Sequence, residues 1–253
     1  MVLGLPRGEN KKRMQNRTYS EELALLDNKI AQMGGMSEHV LGLAFDALEQ
    51  RDPLLAERVV ELDWRIDALE RDIEAQVVAM ISRRQPKEEA LRRVIGAMRI
   101  AADLERIGDL GKNIAKRALA IAHEPHPKPL MTGLRHIVEL ALRQLKDVLD
   151  AYAARDASRA ISVWHADRQL DDLYNSLFRE LLTYMMEDPR NIGLATHLLF
   201  GAKNIERVGD HTTNIAETIH YLVTGVNLTD DRPKGDQTST TLIKNGVDRE
   251  EDS

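Results

Sequence analysis

Two glutamate–aspartate pairs carry the chemistry that this sequence offers: Glu105 with Asp109, and Glu206 with Asp210. On an α-helix, residues four apart share one face, so each pair sets two carboxylates one turn apart. Like charges at that spacing destabilise a helix by about 0.2–0.5 kcal/mol. Hard divalent or trivalent cations accept carboxylate oxygens and would remove the repulsion. In a chain with 41 acidic residues such pairs also arise as plain solvated faces. These two are set apart by their surroundings, because LERIGDLGKNIA over 104–115 recurs as IERVGDHTTNIA over 205–216. Gly108 and Gly209 recur with them. A glycine inside a helix costs about 1 kcal/mol against alanine and marks a close approach by another group. Binding of a cation or a partner is the reading this recurrence favours.

The flanking residues extend the candidate site. Asp63 and Asp67, repeated as Asp167 and Asp171, form a second acidic set on the preceding helix and are additional candidate ligands. Counting back from the hairpin loop brings Asp67 level with Glu105, and Asp171 level with Glu206, although Asp67 flanks its own helix's apolar seam at Ile66. Asn113 and Asn214 continue the stripe by one turn and would orient a carboxylate or a bound water. Arg106 and Arg207 adjoin the glutamates and are expected to pair with acids on another helix, with phosphate binding as the weaker alternative. His211 follows Asp210, but Leu110 holds the matching place in the first copy. Glu217-Thr-Ile-His220 is a single E-x-x-H, whereas di-iron bundles use that motif on two helices. No nucleophile elbow, P-loop, dinucleotide fingerprint, zincin or kinase motif is found, so no catalytic residue is assigned.

Helices must position all of these groups. Aromatic residues are only 4% of the chain while hydrophobic residues are 43%, and the abundance of Ala, Leu, Arg and Glu favours helix over strand. Asp52-Pro53, Arg155-Asp156 and Asp188-Pro189 read as helix starts, with a side-chain acceptor at the N-cap or a proline in the first turn. Pro86 followed by Glu88 and Glu89 reads as another, with acids where the helix dipole favours them. His123 to Pro129 carries three prolines in five residues and cannot be helical. Six helices are predicted, over 20–50, 53–83, 86–122, 130–154, 157–187 and 189–223. Ile100, Leu104, Ile107, Gly111, Ile114, Ala118 and Ile121 form an apolar seam matched by Ile205, Val208, Thr212, Ile215, Ile219 and Leu222. At about 100° per residue Glu105 and Asp109 fall nearly opposite that seam, so they are expected to face water or a partner.

The halves are related throughout. Residues 47–63 align with 151–167 at an offset of 104, and the acidic motif aligns at an offset of 101, the change falling in a loop. Duplication of a three-helix unit leaves such a trace. The expected organisation is a flexible basic arm (1–18), a first three-helix bundle (19–123), a proline-rich linker (124–129), a second bundle (130–224) and a disordered polar tail (225–253). The arm carries Arg7, Lys11, Lys12, Arg13 and Arg17 without the apolar segment of a signal peptide. A net charge of -6 argues against nucleic-acid binding. No apolar run approaches the ~20 residues that span a bilayer. The absence of cysteine suits a reducing cytoplasm.

The duplicated E-R-[IV]-G-D-x-x-x-N-I-A stretch, with D-x-x-[IL]-D-x-L before each copy, resembles the signature of the PhoU family of phosphate-transport regulatory proteins. The resemblance runs from about Tyr19 to Val223. It implies two all-α three-helix bundles side by side, with iron or zinc clusters held by the acidic motifs, other divalent cations remaining open. It further implies a non-enzymatic cytoplasmic regulator that restrains phosphate-starvation signalling. The implied partners are a membrane-bound phosphate ABC transporter and its sensor histidine kinase; a homodimer is also expected. Read from the residues alone, two alternatives stay open: a metal-dependent enzyme on a helical bundle, and a metal-free acidic scaffold for a basic partner.

Overall fold

The computed structural model describes residues 18–229, and every regular element among them is helical. Six long helices follow in order: α1 (Tyr19–Gln50), α2 (Pro53–Arg84), α3 (Glu88–Ala120), α4 (Lys128–Ala154), α5 (Ala157–Glu187) and α6 (Ile192–Thr224). Residues 1–17 of the expected basic arm and 230–253 of the expected tail lie outside the described residues.

Local chemistry accounts for the boundaries. The Thr18 side chain accepts the Glu21 N–H while Glu21 accepts the Thr18 N–H, closing a capping box on α1. Asp52 accepts from the N–H groups of Leu54 and Leu55, with Pro53 in the first helical position. Asp156 caps α5 through the Arg159 N–H. Gly225 ends α6 at φ 75°, a left-handed conformation that glycine adopts without a Cβ clash.

Three starts differ from the sequence reading. Pro86 does not open α3, which begins at Glu88 with Glu88 and Glu89 in its first turn. Pro189 opens a short 3-10 turn, Pro189–Asn191, before α6 begins at Ile192. The linker is shorter than expected, since α4 takes in Lys128 and Pro129; a proline in a first turn removes an N–H that has no helical partner anyway.

The two apolar seams are buried as expected, Ile100, Leu104, Ile107 and Ile114 on α3 and Ile205, Val208 and Ile215 on α6 being fully so. The halves meet along their length and not only at the linker. α3 packs on α6 and α1 on α4, and one apolar core runs through both halves. Small residues set these approaches: a Cβ on Gly96 would sit 2.3 Å from Leu222, and one on Gly34 would sit 2.6 Å from Leu149.

Gly108 and Gly209 serve the same purpose inside each half. A Cβ at Gly108 would meet Ile66 of α2 at 2.8 Å, and one at Gly209 would meet Leu170 of α5 at 2.4 Å. The close approach foreseen at these glycines is by the neighbouring helix. Gly209→Leu is expected to lower stability by about 1–3 kcal/mol through overpacking. Gly35 lies exposed in mid-helix with nothing within 4 Å of a Cβ, so Gly35→Ala should instead raise it by about 1 kcal/mol. Urea denaturation of the two variants measures both signs.

Candidate functional site

The approach of α2 to α3 at Gly108 creates the groove that holds the first acidic set. Asp63 stands one turn before Ile66, the residue that seats against Gly108, and its Oδ1 lies 3.5 Å from where a Cβ on that glycine would be. This contact buries Asp63 to 4% exposure. The duplicate groove does the same: Asp167 Oδ1 lies 3.1 Å from a Cβ on Gly209, and Asp167 and Asp171 are both buried.

The motif carboxylates do not face outward as their angle from the seam suggested. Glu206 is only 5% exposed, and Glu105 and Asp109 are half-buried beside α2. The reason is that α3 packs on α1, α2 and α6, and α6 packs on α3, α4 and α5, so the side away from one seam is still covered. Asp210 is half-buried like Asp109.

Lysines occupy both acidic grooves. Lys112 Nζ, donated from one turn beyond Asp109, ion-pairs with Asp109 and with Asp63 across the groove. In the second half Lys203 Nζ lies 3.0 Å from Glu206 Oε1 and 5.0 Å above the ring of Tyr174. The two lysines come from opposite sides of the motif. Thr213 stands where Lys112 would recur, and Ala102 where Lys203 would. Thr213 turns its hydroxyl back onto the Gly209 carbonyl at 3.0 Å.

Charge in the first groove is strained. Burial, then the Asp109 charge, push the Glu105 carboxyl up to about 7, Arg106 offsetting part of this and Glu70 and Asp67 adding to it. Burial also raises the Asp63 carboxyl, against the lowering effect of Lys112. For Lys112 burial works against the charge, but its hydrogen bonds to Asp109 and Asp63 outweigh it and hold the ammonium protonated well above the ordinary lysine range.

The supporting residues are placed as follows. Arg106 lies against Glu105 at 3.4 Å and Asp109 at 3.5 Å on its own helix, and its charge also acts on Glu70 of α2. Arg207 is exposed, and Asn113 is half-buried. Asn214 donates to Asp103 of the first half at 3.3 Å, and His211 Nδ1 lies 2.9 Å from the same oxygen, so both join the halves instead of the stripe. Glu217 accepts from Trp164 Nε1 at 2.9 Å, and His220 Nδ1 lies 3.0 Å from the Val226 carbonyl oxygen. Asp63 is the α2 carboxylate that shares the Lys112 ammonium with Asp109, whereas Asp67 acts on Glu105 through its charge.

Sequence reasoning missed Lys112, Lys203, Glu70 and Asp103. Lys112 was open to discovery, since a lysine three residues after an aspartate shares its helix face. As a donor set, the carboxylates of α2 and α3 suit a hard cation. Among the described residues no three His, Asp or Glu side chains converge as a metal site, and between Asp63 and Asp109 stands the Lys112 ammonium.

A family model described as the PhoU domain matches residues 30–118 and again 134–219, one copy per half. The phosphate-specific transport system accessory protein PhoU homolog of Rhizobium meliloti is 53% identical over 222 residues, covering 88% of this chain and 94% of that protein. The protein of the same description from Caulobacter vibrioides is 47% identical over 220 residues, 87% of this chain and 96% of its own. The crystal structure of PhoU from Pseudomonas aeruginosa superposes with a TM-score of 0.80 at 37% identity, covering 83% of this chain and 100% of that one. That of the phosphate transport system regulatory protein PhoU from Streptococcus pneumoniae gives 0.77 at 30%, covering 83% and 99%.

The strained charge in the first groove has a measurable consequence. Glu105 titrates near 7 when folded against an ordinary 4.5, so the folded state holds its proton more firmly. Its contribution to stability is present at acid pH and is lost as pH rises through about 7. Glu105→Gln is expected to lessen the fall in thermal midpoint between pH 5.5 and 8 and to raise the midpoint at pH 8, read by circular dichroism.

Proposed function

The chain belongs to the PhoU family, and we propose that it is a non-enzymatic regulator of phosphate uptake. The observation that carries this is the 53% identity, over 94% of its length, to a protein described as an accessory protein of the phosphate-specific transport system. No helix among the described residues is long and apolar enough to cross a membrane. The finer reading is a cytoplasmic homodimer that links a phosphate ABC transporter to its sensor histidine kinase and restrains starvation signalling. An all-helical body with a long, charged, groove-bearing surface is suited to docking.

The same proposal includes a cation. Glu105 and Asp109, with Asp63 and Asp67, would hold it in the first half; Glu206 and Asp210, with Asp167 and Asp171, in the second. Iron and zinc are the metals proposed, and other divalent cations would find the same oxygen donors. Bound there, a cation would neutralise the charge that burial concentrates in each groove and so stiffen the α2–α3 and α5–α6 pairs. The carboxylate strain at Glu105 supports this reading.

Deleting the gene is expected to derepress phosphate-starvation reporters in phosphate-rich medium, with wild-type protein restoring repression. Affinity capture from crosslinked cells should recover transporter or kinase subunits. Recovery of neither, with reporters unchanged, overturns the adaptor. For the cation, elemental analysis of protein purified without chelator or metal-affinity tag should find metal in wild type and little in Asp109→Ala/Asp210→Ala, whose helix content stays near wild type. Equal or negligible metal in both removes the cation and leaves a metal-free acidic docking surface.

A further inference from the structure

Lys112 joins carboxylates of two helices in the first half. Its Nζ bridges Asp63 on α2 and Asp109 on α3, and its side chain is only 22% exposed. Asp63 is the deepest carboxylate of that groove, its side chain 6% exposed, and Lys112 contacts only its Oδ2. The Oδ1 of Asp63 is fully buried with no hydrogen-bond partner among the described residues. A buried carboxylate oxygen without a donor is costly, so the groove holds more acceptor capacity than one ammonium satisfies. A divalent cation would use both oxygens, but its place between Asp63 and Asp109 is the place Lys112 holds.

The internal duplication isolates this residue. At the position matching Lys112 the second half has Thr213, whose hydroxyl folds back onto its own helix and carries no charge. The lysine of the second half, Lys203, arrives from the opposite side of the motif, three residues before Glu206, at a position where the first half has Ala102. The two acidic grooves therefore share their carboxylates and differ in where the neutralising ammonium stands.

Resting on the cation reading above, we propose that Lys112 is a built-in competitor for the first groove: a tethered ammonium that a divalent cation must displace from Asp63 and Asp109 before it can bind. Binding in the first half is then an exchange of one cation for another, in which the Lys112 side chain swings out to solvent as metal enters. A tethered group competes at high effective concentration, so the exchange sets a threshold of free cation below which the groove stays closed. The second half, with Thr213 in that position, lacks this particular competitor.

The test uses the full chain, purified without a metal-affinity tag and stripped of metal, titrated calorimetrically with Mn²⁺ and with Zn²⁺. Wild type is compared with Lys112→Thr, which restores the residue of the second half, and with Lys112→Met, which keeps the apolar stem. Asp63→Asn in the Lys112→Thr background identifies the groove. Thermal midpoints with and without cation provide a second readout. Removing the ammonium is expected to tighten first-groove binding by about tenfold or more, the order of effect of breaking one partly buried ion pair. The gain should vanish with Asp63→Asn, and the midpoints of Lys112→Thr and Lys112→Met, lowered without cation, should recover when it is added. Uptake by the variants with none by wild type also upholds the competitor, while refuting resident metal in the wild-type first half. Equal affinity and stoichiometry in wild type and both variants overturns the competitor and leaves the cation reading standing. No binding by any of them, at either half, overturns both.

Discussion

Everything distinctive about this molecule depends on two glycines that let helices touch. Where α2 crosses Gly108 and α5 crosses Gly209, the missing Cβ brings Ile66 and Leu170 hard against the facing backbone. The same contact carries Asp63 and Asp167 into the groove, where neither can reach bulk water freely. A carboxylate so confined must be protonated or meet a cation, because burial without compensation penalises its charged form heavily. The grooves are acidic by composition, but it is backbone proximity that turns their acidity into a demand for counter-charge.

The chain meets that demand from within, differently in each half. Lys112 answers Asp63 and Asp109, and Lys203 answers Glu206 while resting over Tyr174. Glu70 stands in the first half where Tyr174 stands in the second, so the first groove gathers more negative charge and pushes the Glu105 carboxyl upward. Duplication supplied two copies of one acidic frame, and substitutions around the frame have made the copies electrostatically unlike.

The halves are also bound to each other in ways that draw residues away from the repeat's symmetry. Asp103 of α3 takes both His211 and Asn214 of α6, and Asp27 of α1 accepts from Tyr152 of α4 at 2.8 Å. Burial pushes the Tyr152 hydroxyl up, with Asp27's charge adding to the effect, so this phenol stays a neutral donor. These polar ties lie on a continuous apolar core. α3 and α6, which carry one motif each, pack directly on each other.

The sequence by itself determined the six helices, the tandem repeat, the buried seams and the recurrence of the acidic motif. Each of these is written in local signals: N-cap aspartates at 52 and 156, the run of prolines from 125, and apolar residues at helical spacing. It was also enough to mark Gly108 and Gly209 as places of close approach. What only the tertiary structure decided is which carboxylates are buried and what neutralises them. Helical periodicity gives the angle of Glu105 from its own seam but not what packs at that angle, and on α3 that side is covered by a neighbouring helix. Whether Asp63 or Asp67 turns toward Asp109 depends on the rotation of α2 about its axis, which no spacing along one chain specifies. Lys112 and Asp109 are neighbours in any helix, yet the bridge to Asp63 exists only once α2 lies against Gly108, because an ion pair between helices belongs to their packing and not to either sequence.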